Sequence, residues 1–93
     1  MLAKNPVDLS GLPSDVRDRE ILRLGIIAEL DAINLYEQLA AAAADETVKR
    51  VLLDIAREEK THVGEFLELL LRRDAEQVKE LEEGKEEVEE LGG

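Results

Sequence analysis

Both prolines lie at or before position 13. From Asp15 onward apolar residues recur at intervals of three and four, with one sharp break at Asp45-Glu46-Thr47. A chain with that pattern can only be built from helices, because the spacing repeats on one helical face and nothing breaks the backbone ladder. The first run places Leu22, Ile26, Ile33, Tyr36, Ala40 and Ala43 on a common stripe, and predicts a helix from Asp15 to about Ala44. At 1.5 Å per residue it is about 45 Å long. Ser14 reads as its N-cap, with Asp15 and Asp18 in a first turn that favours negative charge. Asp45 is placed to cap a second helix, whose stripe of Val48, Leu52, Ile55, Phe66, Leu69 and Leu70 runs to about Arg73. Arg72 and Arg73 suit its C-terminus. Asp74-Ala75-Glu76-Gln77 fits a capping box and opens a shorter helix from Ala75 to about Leu91. No strand signal and no internal repeat are found.

These elements divide the chain into an irregular lead-in at 1–13 (Asn5-Pro6 and Gly11-Leu12-Pro13), a helical hairpin at 14–73 and an acidic C-terminal segment at 74–93. Charge supports the last boundary. From Asp74 to Gly93 there are nine acids against Lys79 and Lys85, a net of −7 of the chain's −11, which leaves −4 for residues 1–73. The apolar content of the segment is thin (Val78, Leu81, Val88, Leu91), so a docked helix and a solvated acidic tail are both open readings. The expected fold is therefore all-α: an antiparallel two-helix hairpin, forced by a linker of about three residues, plus a short C-terminal helix. A hairpin buries only part of each stripe, and a chain of 93 residues is marginal on surface-to-volume grounds. Pairing of two hairpins into a four-helix bundle is the expected remedy.

Composition excludes several functions. With no cysteine there is no disulfide frame, no Cys zinc site and no thiol nucleophile. No apolar run reaches the roughly 18 residues of a membrane span. No charged-then-apolar leader opens the sequence, which points to the cytoplasm. Acids outnumber bases 23 to 12, so phosphate is repelled and cations are attracted; neither nucleic acid nor an anionic membrane is an expected partner.

The chemistry sits where polar residues interrupt the stripes. Glu29 lies within Ile26-Ile27-Ala28-Glu29-Leu30, on the face of Leu22, Ile26, Ile33 and Tyr36. In the second helix the series Leu52, Ile55, Glu59, His62, Phe66 has two polar members in succession. A carboxylate on an apolar face is costly without a partner. Glu59 and His62, three apart, share a helix face and together offer oxygen and nitrogen to a divalent metal. If the chain reverses near Ala44 or Asp45, Glu29 precedes the turn by about as many residues as Glu59 and His62 follow it, so all three meet at one level. The plain alternative is a core histidine hydrogen-bonded to a neighbouring glutamate. Two copies of the hairpin bring together one Glu from each of two helices and Glu-x-x-His from each of the other two, the ligand set of ferritin-like di-metal centres. Such ligands suit iron, manganese or zinc. Tyr36, two turns from Glu29 on the same face, reads as core packing or as a redox-accessible phenol; Asp31 flanks the site one step off the stripe. Glu20, Glu37, Glu46, Glu58, Glu65 and Glu68 read as solvated.

The stretch Glu29-Leu30-Asp31-Ala32-Ile33-Asn34-Leu35-Tyr36-Glu37-Gln38, then Glu58-Glu59-Lys60-Thr61-His62, then Leu70-Leu71-Arg72-Arg73-Asp74-Ala75 resembles the encapsulated ferritin family over roughly 19–81. The resemblance implies a half-ferritin that dimerises around a pair of irons, associates further into a ring-shaped decamer, oxidises Fe(II), and works inside an encapsulin shell that stores the mineral. It further implies that Glu29, Glu59 and His62 are the iron ligands, that Tyr36 stands beside them, and that Asp31 belongs to an outer metal site. Two positions depart from the family pattern: Ala28 stands where many relatives have a second acid, and Leu35 replaces an aromatic residue. No shell-targeting peptide is recognisable after the acidic segment. In some archaeal relatives the ferritin domain is fused ahead of the shell protein, so a fragment of such a fusion is one expectation. Two rival readings of the same residues remain: a non-catalytic helical oligomerisation module fixed by zinc or calcium, and an acidic interaction hairpin that uses Glu29 and His62 as a polar register device.

Overall fold

The first turn of the long helix is set by Pro13, whose carbonyl accepts the Arg17 N–H at 2.9 Å. The computed structural model describes residues 8–93; the Asn5-Pro6 turn expected from sequence lies outside them. Helix α1 runs over Ser14–Ala42, α2 over Glu46–Leu71 and α3 over Ala75–Glu90, after a short 3₁₀ turn at Leu9–Gly11. The fold is all-α among the described residues. None of these helices is long and apolar enough to cross a membrane.

Ser14 is not the cap expected from sequence. It is already helical, with Pro13 in the cap position and no side-chain cap bond. The lead-in is held instead by Arg17, whose guanidinium donates to the carbonyls of Leu9, Ser10 and Leu12 at 3.1, 3.3 and 2.7 Å. At the other end α1 stops two residues short of Ala44, because Ala43 turns extended. Asp45 then caps α2, its carboxylate accepting the Val48 N–H at 2.9 Å. Replacing Asp45 with alanine should lower stability by about 1 kcal/mol, the usual worth of such a cap, with a matching fall in the urea midpoint.

α2 ends at Leu71 rather than Arg73. The N–H of Arg72 bonds to the Glu68 carbonyl at 3.2 Å, and that of Arg73 to the Leu70 carbonyl at 2.9 Å, so the chain tightens and turns off the helix axis. The Arg73 guanidinium still serves the helix end, donating to the Leu69 carbonyl at 3.0 Å. Asp74 is the hinge to α3. Its carboxylate accepts the Gln77 N–H at 3.0 Å and the Arg23 guanidinium at 3.0 Å. The Gln77 amide first, and then Arg23, hold this carboxyl below its ordinary value. The contribution of a carboxyl lowered in this way is present above its unfolded pKa and lost as pH falls through the folded one. The two bonds that Asp74 accepts are therefore kept at neutral pH and weaken only as acid protonates it, below its ordinary range.

α1 and α2 pack as an antiparallel pair, tied across one side by Lys60 to Glu37 at 3.2 Å. The buried core between them is small: Leu22, Ile33 and Ala40 from α1, with Ala56 and Leu70 from α2. Two members of the expected second stripe, Val48 and Leu69, are exposed, and Ala56 takes the buried place. Their spacing puts them on one face, but that face extends past the edge of the hairpin and is left exposed among the described residues. α3 meets the hairpin only at its base. It is a regular helix, yet Val78, Leu81, Val88 and Leu91 all stand in solvent. Of the two readings open from sequence, the segment is the solvated one, in the form of a regular helix that does not dock along the hairpin.

Candidate metal centre

Midway along the hairpin three polar side chains from the two helices converge. α1 supplies Glu29, α2 supplies Glu59 and His62, and one ligand atom from each lies within 4.8 Å of the others. Equal counts from the turn in an antiparallel pair give equal heights, which is why residues 30 and 33 positions apart in sequence meet. His62 Nδ1 lies 3.3 Å from Glu59 Oε2 and 3.5 Å from Glu29 Oε2. The shorter contact is a hydrogen bond in one tautomer; the longer one is not. Glu29 Oε2 consequently has no hydrogen-bond partner although it is shielded from solvent. Both glutamate side chains are 19% exposed and the imidazole 45%.

An orphaned carboxylate oxygen beside a second carboxylate and an imidazole is a poor arrangement for a closed core. One such group costs about 1–3 kcal/mol. It is a good arrangement for a divalent cation, which accepts lone pairs from all three and balances their charge. The donor chemistry, two hard oxygens and one nitrogen with no sulfur, fits iron, manganese or zinc. Beside the cluster a groove of about 370 Å³ is lined by Glu29, His62, Glu65, Phe66 and Leu69. The site is therefore open along one side.

Of the other residues singled out from sequence, Tyr36 is half-buried on α1 and Asp31 is likewise partly covered; Asp31 does not join the three-residue cluster. Asp31 is about 200° round α1 from Glu29 at 3.6 residues per turn, and so points away from the cluster. Glu65 was read as solvated. It is exposed, but it also lines the groove next to His62. Its position three residues after His62 was the available signal.

An antiparallel helical hairpin with a Glu on one helix and Glu-x-x-His on the other is the arrangement of helices and ligands of the ferritin-like class. Within that class the chain belongs to the EncFtn-like family, whose family model matches residues 6–87. The crystal structure of the encapsulated ferritin domain from Pyrococcus furiosus superposes with a TM-score of 0.85 at 57% identity, covering 98% of this chain and 95% of that one. Among longer proteins, the ferritin-like–encapsulin shell fusion protein of Pyrococcus furiosus is 69% identical over 74 residues, which are 80% of this chain and 21% of the fusion. The encapsulin nanocompartment cargo protein EncC of Myxococcus xanthus is 40% identical over 78 residues, 81% of this chain and 60% of EncC. Its counterpart EncB is 37% identical over 70 residues, 74% of this chain and 44% of EncB. The chain thus spans about a fifth of the fusion protein and about half of each cargo protein.

Proposed function

We propose that the chain is a ferroxidase whose centre is completed by a second copy, and that it feeds iron into an encapsulin compartment. The observation that carries this reading is the unpartnered Glu29 oxygen, held beside Glu59 and His62 at the open side of a hairpin. Two copies bring four carboxylates and two neutral imidazoles. Their formal charge of about minus four is cancelled by two Fe(II) ions and exceeded by about two units once both are Fe(III). The anionic set thus offsets the charge of the bound Fe(II) ions and stabilises the rise in charge to Fe(III), which favours their oxidation. The balanced step takes one electron from each of two Fe(II) ions and delivers both, with two protons, to dioxygen, giving two Fe(III) and one hydrogen peroxide. Glu29 and Glu59 hold the substrate ions. His62 gives a neutral donor, with Glu59 within reach of its Nδ1 to fix the ring. Tyr36 stands two turns along the same face as a neighbouring phenol, whereas Asp31, on the opposite face of α1, is left to an outer metal site separate from this centre.

Residues 14–73 carry the site in this reading. Residues 74–93, with their net charge of −7, draw cations toward the assembly at low ionic strength and lose that pull as salt screens it. The compartment is supported by the relatives named as shell fusion and nanocompartment cargo. Aerobic loading with iron far in excess of the sites tests the whole proposal. Rapid oxidation followed by precipitation is expected for the isolated chain, and soluble iron is expected when an encapsulin shell is co-assembled. No acceleration over protein-free buffer would exclude the ferroxidase and leave the two non-catalytic readings, which metal content then separates. Hundreds of irons retained per soluble assembly without a shell would mean a self-sufficient storage cage.

A further inference from the structure

α1 has a single glycine, Gly25, in its interior. Glycine there costs about 1 kcal/mol relative to alanine, and its backbone is ordinary: among the described residues only Gly92 has a positive φ. The reason for Gly25 must therefore be space. A Cβ at Gly25 would sit 3.2 Å from Cε2 and Cζ of Phe66 and 3.3 Å from Cδ2, so one edge of the ring lies where a methyl group would begin to crowd it. The other two helical glycines, Gly64 and Gly84, have nothing within 4 Å of the same point.

The location of this contact matters. Gly25 precedes Glu29 by four residues and Phe66 follows His62 by four, so each lies one turn from a candidate ligand on its own helix. Both turns lead away from the hairpin loop, which places the pair at one level about 6 Å below the cluster. The Phe66 ring forms part of the groove that Glu29 and His62 also line.

We infer that Gly25 is a positioning residue for the metal centre: by leaving room for the Phe66 edge against α1, it keeps the ring out of the groove beside Glu29 and His62. This rests on the metal-binding reading proposed above. A methyl at position 25 obliges the ring to give by a few tenths of an ångström. Phe66 is only half-buried and the groove lies beside it, so the ring gives into the groove. The hairpin tolerates that shift; the geometry at Glu29 and His62 does not.

The test uses the full chain and Co(II) alone as the probe, with binding read from its visible d–d absorption and metal-free stability from thermal melting. Gly25→Ala is expected to keep its helix content and melt no lower than the parent, since alanine is the better helix former. It is expected to bind Co(II) at least tenfold more weakly and with an altered band intensity. Phe66→Leu trims the ring and leaves a gap, and is expected to cost no more than about threefold. The double variant, in which the methyl occupies part of the vacated space, is expected to bind more tightly than Gly25→Ala alone, and that non-additivity is the signature of a matched pair. Co(II) binding by Gly25→Ala equal to the parent's, a double variant that merely compounds the two losses, or a metal-free Gly25→Ala that melts lower would each overturn the inference. Failure of the parent itself to bind Co(II) would instead remove the metal-binding reading beneath it.

Discussion

Alanine at Glu29, Glu59 or His62 is expected to lower the rate of Fe(II) oxidation by at least about 100-fold, because even the outer partners of metal ligands are commonly worth 10- to 100-fold. The effect on the metal-free protein separates a ligand from a core pair. Glu29 presents a shielded oxygen with no hydrogen-bond partner. Its removal takes away an unmet desolvation cost of about 1–3 kcal/mol, so Glu29→Ala should leave metal-free stability unchanged or raised. Were Glu29 and His62 a polar register device, the same substitution would lower the melting temperature and spare oxidation. The pH dependence points the same way. The ligand forms are ionised carboxylates and neutral imidazole, so protons compete with the metal and binding weakens toward acid. Stopped-flow oxidation and melting curves on the same three variants give both readings. Retained oxidation with a destabilised apoprotein would exclude the ligand assignment.

The convergence of these three residues was legible because an antiparallel hairpin with a short loop maps distance from the turn onto height. Glu29 before Asp45, and Glu59 and His62 after it, needed no further information. Caps were legible where a side chain makes them: Asp45 and Asp74 each accept an N–H from three residues on. Ser14 misled because Pro13 already fixes the backbone for helix entry and Arg17 takes over the lead-in carbonyls. Val48 and Leu69 show the limit of periodicity, which assigns a residue to a face but does not say whether anything covers it. Glu65 is assigned to solvent by its charge, although its place three residues after His62 already sets it on the side of α2 that faces the groove. Phe66 was read correctly as apolar, but its contact with Gly25 depends on how closely the two helices approach, which no spacing rule records.

Metal should drive the chain from monomer to dimer or to a larger ring. The hairpin leaves Ile21, Leu39, Val51 and Leu69 among its exposed large apolar side chains. Ile21 and Leu39 are 18 residues apart on α1, as are Val51 and Leu69 on α2. Eighteen residues make five whole turns, so each pair shares one row on its helix. His62 lies on the α2 row, 11 residues after Val51 and seven before Leu69. The partly exposed imidazole is thus bracketed by apolar residues that want covering. A second copy that covered them would bring its own three ligands to the open side of the groove, so that apolar burial and metal coordination would draw on one contact. The two terms are separable by experiment. Sedimentation at micromolar concentration should show weak association in chelator and a shift of at least about 100-fold in the apparent dissociation constant with saturating Fe(II) under anaerobic conditions, a gain of about 2.7 kcal/mol. Glu59→Ala should abolish the metal-dependent part and leave the chelator value unchanged, whereas Leu69→Glu should weaken association in both. A monomer under every metal condition would mean that the second half of the centre does not come from another copy, and the ferroxidase reading would fall with it.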